Sequence, residues 1–268
     1  MRAARYSKLV PTLRVYQFES EGHVHQSLGM SAPTLGQKAI IEFSRRLGFG
    51  NGAIRKYGGR LVRQLGGERV VYKYHGLNLI LDPLTGSSRI MLMTPYWYDA
   101  KEREFIRHRL SNGGVFVDIG ANSGFYSFFV AAHCREARIF AFEPMPHHAA
   151  LLQENVALND LQDRVTVMEM GLCDREGVTD IDGHAVACNT LLNAVQRQKL
   201  TSIECLKIDI EGMEDSVLLP FFRDAPRSLW PKAIVGEHIF TDQWRDLCLS
   251  LGYRQHLRTQ YNIALTLD

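Results

Sequence analysis

The sequence predicts an α/β fold, with a mostly parallel sheet flanked by helices from residue 111 onward, an antiparallel strand at its end and a basic, mainly helical extension at its front. Three observations lead there. After Asn112-Gly113-Gly114, short apolar runs alternate with helical stretches of about ten residues, the pattern of strands that run parallel because each crossover holds a helix. The last two strand-like runs, residues 253–257 and 262–267, have only a turn between them and must pair antiparallel. The charge is divided: residues 1–69 hold 12 Lys and Arg against 4 Asp and Glu, the remainder 19 against 25.

Taken in order, residues 35–47 place Leu35, Ala39, Ile40, Phe43 and Leu47 at helical spacing, with Lys38, Arg45 and Arg46 elsewhere on the wheel, which predicts an amphipathic helix. A second helix is expected over 53–65, within a stretch rich in glycine and basic residues that reads as a junction or a helix pair. Strand-like runs over 70–74 and 77–81 flank His75-Gly76 and stop at Asp82-Pro83, a hairpin. Residues 98–110 turn helical again. Beyond the glycine break, strands are expected at 115–119, 138–142, 165–169, 205–209 and 233–235, with helices at 124–133, 147–158, 213–219 and 242–251. The chain therefore divides into a basic extension (1–69), a hairpin and helix leading into the core (70–110), and the domain that carries the site (111–268).

A content of 46% hydrophobic and 22% charged residues excludes a disordered, collagen-like or coiled-coil chain. No stretch reaches the length of uncharged apolar sequence that a membrane span needs, and the basic start MRAARYSKLVPTLRVYQFES lacks the apolar run of a secretory signal. Cys134, Cys173, Cys188, Cys205 and Cys248 are odd in number and scattered without a CxxC pair, so neither a disulfide framework nor a zinc knuckle is expected. These features predict a cytoplasmic protein, either free or peripheral at the membrane.

In an open parallel sheet a ligand binds beyond the carboxyl ends of the strands, between the first strand and its helix. That is the position of Asp118-Ile119-Gly120-Ala121-Asn122-Ser123-Gly124. Gly120 and Gly124 allow sharp turns and close approach, and Asn122 tolerates a left-handed conformation. The spacing is G-x-N-x-G rather than the G-x-G-x-x-G that seats a pyrophosphate. Asp118 would repel a pyrophosphate and attract a cation. S-adenosylmethionine carries an ammonium and a sulfonium and no phosphate. Glu143, in Phe142-Glu143-Pro144 at the end of the second strand, is placed to accept hydrogen bonds from ribose hydroxyls, since an ionised carboxylate only accepts. Asp118 and Glu143 read singly are also compatible with helix caps or solvated loop acids. The succession of strand, D-x-G-x-N-x-G, helix, strand and Glu favours the cofactor. A third strand ends in acids at Leu206-Lys207-Ile208-Asp209-Ile210-Glu211-Gly212-Met213-Glu214.

With these blocks in view, the sequence resembles the FkbM-type S-adenosylmethionine-dependent methyltransferases. The resemblance runs through Val117 to Ser127, Phe142-Glu143-Pro144, Lys207 to Glu214, and Val235-Gly236-Glu237-His238, and spans roughly residue 77 to the C-terminus. It implies the class I methyltransferase (Rossmann-like) fold, a mostly parallel seven-stranded sheet with an antiparallel last strand, and methylation of a hydroxyl on a sugar, glycolipid or secondary metabolite. Two departures stand out: Thr190-Leu191-Leu192-Asn193 lacks the acids that the family usually carries there, and the connection from Gly171 to Cys205 is short.

Methyl transfer requires an aligned nucleophile and a proton acceptor. Candidates are Asp209, Glu211, Glu237 and His238 at neighbouring strand ends, with Glu211 or His238 favoured as the acceptor and Asp209 as an orienting group. His238 is also compatible with a structural histidine, and the four together with an oxygen-rich divalent-metal site that their spacing matches only loosely, so no metal is assigned. Cofactor contacts are expected from Asp118, Gly120, Asn122, Ser123, Gly124 and Glu143, with Asp174 after the third strand either beside the adenine or an ordinary loop acid. The basic extension is open to three readings: a solvated helical cap, a surface for anionic membranes or lipid-linked phosphates, or a nucleic-acid patch. The expected partner is a small-molecule, glycan or lipid-linked acceptor, with the extension meeting an anionic membrane surface. The absence of an Asn/Asp-Pro-Pro-Tyr-type site after the fourth strand argues against nucleic acid. The alternatives are an RNA methyltransferase that uses the basic arm, and a non-catalytic membrane-surface module on the same fold.

Overall fold

A computed structural model describes residues 30–47, 52–181 and 183–267. Residues 1–29, which open the basic extension, lie outside the described residues. The front of the molecule begins with the short strand β1 (Met30–Ser31) and helices α1 (Leu35–Leu47) and α2 (Gly52–Gly66), followed by β2 (Arg69–Tyr74), β3 (Leu77–Leu81), α3 (Gly86–Met93) and α4 (Ala100–Arg109). The start of α1 is a capping box. Thr34 Oγ1 accepts from Gln37 N at 3.2 Å, and Gln37 Oε1 accepts from Thr34 N at 2.9 Å, so two backbone donors that have no helical partner are satisfied. Gln37 then donates from Nε2 to Val62 O at 2.8 Å, which ties α1 to α2. β2 and β3 form the expected hairpin, Val70 pairing with Leu81 through Tyr74 with Leu77, and β1 adds to it in parallel, pairing across residue 69.

The body follows as β4 (Gly114–Ile119), α5 (Phe125–His133), β5 (Ala137–Phe142), α6 (Pro146–Leu158) and β6 (Val165–Met168). A small sheet comes next, β7 (Gly171–Leu172), β8 (Gly177–Ile181) and β9 (His184–Asn189), then α7 (Leu191–Arg197), β10 (Cys205–Ile208), α8 (Glu214–Asp224), β11 (Ala233–Glu237), α9 (Gln243–Ser250), β12 (Arg254–Arg258) and β13 (Asn262–Thr266). Seven strands form the main sheet in the order β12-β13-β11-β10-β4-β5-β6. β11, β10, β4, β5 and β6 run parallel, and β13 is antiparallel to both of its neighbours. This is the class I methyltransferase, Rossmann-like arrangement. Its strand order reverses at β4, between β5 on one side and β10 on the other.

The sheet is buried on both faces, as parallel strands flanked by helices must be. Phe116, Ile139, Val235 and Ala264 point to one core, with α5 and the front elements, while Val117, Phe140, Ile208 and Ile234 point to the other, with α7, α8 and α9. Trp244 of α9 packs over Gly236, where a Cβ would lie 2.7 Å from its ring. The hairpin is attached by an unusual device. Asn155 of α6 and Asn159, which caps its C-terminus one turn on, present their amides to the edge of β3: Asn155 accepts from Ile80 N at 2.6 Å and donates to Ile80 O at 3.0 Å, and Asn159 does the same with Asn78 at 3.0 and 2.8 Å. Two side chains thus replace a neighbouring strand and block an edge that would otherwise pair with another chain.

The structure corrects the reading of the cysteines: Cys173 and Cys188 are joined by a disulfide. Their distance in sequence concealed the pairing, which arises because β7 runs beside β9 in register Gly171↔Cys188 and Leu172↔Asn189. Cys134, Cys205 and Cys248 are buried thiols. Periodicity predicts neither the β7-β9-β8 sheet nor α3 and α7, because their strands and helices are short. Among the described residues, no helix is long and apolar enough to cross a membrane.

Asn155→Ala strands the buried N–H and C=O of Ile80 together. Urea denaturation should show a loss of about 2 to 4 kcal/mol relative to the parent, whereas Asn159→Ala, at the exposed end of the same strand, should lose much less.

Candidate functional site

The carboxyl ends of β4, β5 and β10 converge on a cavity of about 400 Å³, a size ordinary for a cofactor site. Its floor is the glycine loop. Gly120 has φ +77°, and a Cβ there would lie 2.1 Å from the backbone oxygen of Asp209. Only glycine lets β4 and β10 end so close together. Gly120 N and Ala121 N both donate to Phe142 O at 3.0 Å, which joins the loop to the end of β5. Asn122 takes the left-handed conformation, φ 51°, and its Oδ1 accepts from Ser87 Oγ of α3 at 2.8 Å. Gly124, φ +88°, caps α5.

Glu143 is buried beneath the loop and spends one hydrogen bond on each oxygen, Oε2 from Asn122 N at 2.7 Å and Oε1 from Met145 N at 2.9 Å. A carboxylate has about four acceptor sites, so each oxygen keeps capacity for a ligand hydroxyl. His148 stands 3.6 Å from Glu143, and its Nδ1 is buried with no hydrogen-bond partner. Phe142, Met170, Leu172 and Ile181 supply an apolar slot beside these groups, and Asp180, Asp209 and Glu211 complete the wall. Among the described residues the lining holds four carboxylates, Glu143, Asp180, Asp209 and Glu211, and no Lys or Arg. That balance repels a phosphate and suits a cation. A diol-accepting glutamate, an apolar slot and a carboxylate end match the ribose, the adenine and the charged tail of S-adenosylmethionine.

The cavity therefore gathers Gly120, Asn122, Glu143, Asp209 and Glu211 from the expected residues, and leaves out six: Asp118, Ser123, Gly124, Asp174, Glu237 and His238. Asp118 is 2% exposed, faces α5 rather than the ligand, and accepts from Ser127 Oγ at 2.6 Å. Alternation along β4 is the cause, since Ile119 takes the cavity side. Ser123 is buried behind the loop, its N donating to Ser87 Oγ at 3.0 Å, and Gly124 packs on Phe128 and Leu152. Asp174 sits on an exposed loop beside Arg175, while Asp180 and Ile181 of β8 line the cavity. His238 is not part of the cavity wall; its Nε2 lies 3.3 Å from Thr259 O.

Beside the cavity lies a polar cluster that local sequence did not reveal in full. Lys207 is 1% exposed in the middle of β10, with Nζ 3.1 Å from Asp209 Oδ2 and 5.0 Å from the Tyr126 ring centre. Tyr126 donates to Asp99 Oδ2 at 2.7 Å. Asp99 holds a left-handed backbone, φ 46°, and burial, countered in part by Tyr126, lifts its carboxyl to about 6. Burial drives the Tyr98 and Tyr126 hydroxyls upward, with Asp99 adding to both shifts. Glu237, one residue beyond the Ile208↔Gly236 pair, has an Oε2 that is buried and without a partner; burial first and then Asp209 push it up to about 7. A lysine within an apolar strand was the signal for this cluster, because a buried ammonium requires a carboxylate. Asp99 had no such signal. The turn beyond β10 is fixed by buried Glu214, whose Oε1 accepts from Ile210 N at 2.9 Å, and Glu211 lies in that turn at φ 51°.

Comparison with known proteins adds a family. The profile of the TRM5/TYW2 methyltransferase domain matches residues 71–221, more than half of the chain. A curated relative, "Methyltransferase sdnD" of Sordaria araneosa, is 37% identical over 68 residues, 25% of this chain and 26% of the relative, so the match spans about a quarter of that protein. Among solved structures, Methyltransferase FkbM from Methylobacillus flagellatus KT aligns with a TM-score of 0.48 at 16% identity, covering 68% of this chain and 54% of the other. The M. jannaschii tRNA m1G37 methyltransferase aligns at 0.43 and 16%, covering 80% and 65%.

Isothermal titration with S-adenosylhomocysteine should show Glu143→Ala weakening binding by about tenfold or more, the loss of two charged hydrogen bonds, while Asp118→Asn changes it little. Asp118 has a second readout. Burial raises its carboxyl from 3.8 to about 6, so its contribution to stability is present below pH 3.8 and is lost as the pH rises through about 6. Denaturation midpoints of Asp118→Asn should accordingly lose that part of the pH dependence between those limits.

Proposed function

The chain belongs to the family of the TRM5/TYW2 methyltransferase domain, whose cofactor is S-adenosylmethionine, and from that premise we propose that it is a methyltransferase acting on a hydroxyl of a sugar, glycolipid or secondary metabolite. The observation that carries the oxygen acceptor is the division between two carboxylates on adjacent strand ends. Asp209 is held by the buried Lys207 ammonium, and Glu237 has no partner on Oε2 and is pushed up to about 7. Neighbouring acids held in such different surroundings take different roles. Glu237 is the proton acceptor, in place of His238, whose ring is turned to Thr259, and Asp209 orients the acceptor. Glu211, on the cavity wall, is the alternative base.

Bound in the cavity, S-adenosylmethionine supplies an electrophilic methyl group on a sulfonium. Glu143 holds the ribose hydroxyls, while Gly120 and Asn122 keep the loop close and shaped to the ligand. Asp118, Ser123 and Gly124 hold that loop from behind. With a methyl donor bound, Glu237 Oε2 would take the proton of the acceptor hydroxyl as that oxygen is methylated. Asp99 and Tyr126 fix Lys207 from the far side, so that its contact with Asp209 stays in place. The FkbM-type blocks around Asp118 and Lys207 support a hydroxyl acceptor.

A second reading, methylation of RNA, is favoured by the family match itself and by the basic front of the chain. Tritiated methyl transfer to glycolipid, oligosaccharide and total RNA fractions separates the two: label in RNA alone would overturn the hydroxyl acceptor. Glu237→Gln should lower kcat by about a hundredfold to ten-thousandfold, the usual range for a general base, with S-adenosylhomocysteine affinity unchanged. In the parent, kcat should rise with pH through about 7, because the base must be deprotonated, and the variant should lose that limb.

A further inference from the structure

Helices α1 and α2 bury Gln37, Ile41, Ser44 and Val62 against each other and the front of the molecule, and turn a second apolar face outward. Leu35 is 86% exposed, Phe43 63% and Tyr57 62%, and Leu61 and Leu65 are about half exposed. Between them runs a groove of about 490 Å³ walled by Ala39, Ile40, Phe43, Tyr57 and Leu61. Large exposed apolar side chains scattered singly need no explanation, but a contiguous set on one face does.

The charge beside this face is of one sign. Lys38, Arg46, Lys56 and Arg60 are exposed and form no ion pair with a carboxylate among the described residues. Each immediately precedes a residue of the apolar face, Ala39, Leu47, Tyr57 or Leu61. At about 100° per residue, that spacing sets a row of cations along the flank of the apolar stripe on both helices. The single acid in α1 and α2, Glu42, is occupied by the Tyr72 hydroxyl. Of the other cations, Arg45 is bound to the backbone oxygens of Leu92, Lys73 and Met91, and Arg63 to Glu68. An apolar stripe flanked by lysine and arginine, on helices of low overall hydrophobicity, is the construction of a helix that lies in the interface plane of a bilayer.

We propose that the outer face of the α1–α2 hairpin docks on an anionic phospholipid surface, with Phe43, Tyr57 and Leu61 entering the headgroup–acyl boundary and the four flanking cations meeting lipid phosphates. A second copy of the chain is disfavoured as the occupant, because two such faces would bring like charges together. The hairpin also adjoins the site, since the Arg55 guanidinium stands 5.3 Å from the centre of the Tyr98 ring, next to Asp99. Docking therefore places the mouth of the polar cluster at the membrane, where a lipid-linked acceptor is presented, although the docking itself does not depend on the chemistry proposed for the site.

The full chain should float with vesicles of phosphatidylcholine containing phosphatidylglycerol, and not with phosphatidylcholine alone, and added salt should weaken the association. Neutralising Lys38, Arg46, Lys56 and Arg60 to Gln together should weaken it by about a hundredfold or more, and Phe43→Asp with Leu61→Asp should abolish it. S-adenosylhomocysteine titration of the same variants, expected unchanged, shows that they remain folded. The proposal is overturned by equal retention on neutral and anionic vesicles, by no retention on either, or by a folded Phe43→Asp/Leu61→Asp variant that still floats. It is equally overturned by a dimer in sedimentation velocity that this double variant dissolves, which would make the face an interface between copies.

Discussion

The close approach of β4 and β10 at Gly120 is the constraint on which the rest of the site depends. With Asp209 O 2.1 Å from where a Cβ would stand, the two strand ends meet, and Asp209 N donates back to Ile119 O at 3.1 Å. Phe142 O, taking both Gly120 N and Ala121 N, draws the end of β5 to the same point. Three strands that arrive from different parts of the chain are thereby locked together at the place where the strand order reverses. Glu143 and Asp209 reach a common cavity because their strands are parallel, so that both leave the sheet on one edge.

Around that junction the protein distributes charge by burial. Lys207 is within the sheet and has one carboxylate in direct contact, Asp209. Asp118 and Asp99 lie deeper, and burial lifts the carboxyl of each to about 6. Glu237 and Glu214 each keep a buried carboxylate oxygen without a hydrogen-bond partner among the described residues. The cofactor side is lined by carboxylates without a basic residue, and the outer face of the α1–α2 hairpin has the opposite sign. Among the described residues, the division of charge along the chain thus reappears in space as a basic α1–α2 face and an acidic site.

The motif residues show where sequence reading succeeds and where it stops. Gly120, Asn122 and Glu143 were legible because backbone conformation and strand-end position are local properties, written in residue type and spacing. Asp118 was legible as a motif member and not in its orientation: one residue of alternation decides which side of β4 a side chain takes, and only the packed sheet shows which side holds the ligand. The small sheet that brings Asp180 and Ile181 to the cavity has strands of two to six residues, which carry too little periodicity to be read. The same sheet brings Cys173 and Cys188 together, which no spacing rule anticipates.

By itself the sequence determined the class of fold, the order and direction of the main strands, and a glycine loop suited to a cofactor that carries positive charge and no phosphate. These follow from periodicities of two and 3.6 residues and from the conformations that glycine and asparagine allow. Only the tertiary structure decided that Asp209 is neutralised by Lys207 while Glu237 is not, that Asp99 and Tyr126 complete the cluster from a separate segment, and that α1 and α2 leave an apolar face uncovered. Each of these depends on distance and burial between residues far apart in the chain, and electrostatic roles are set by those two quantities rather than by residue type.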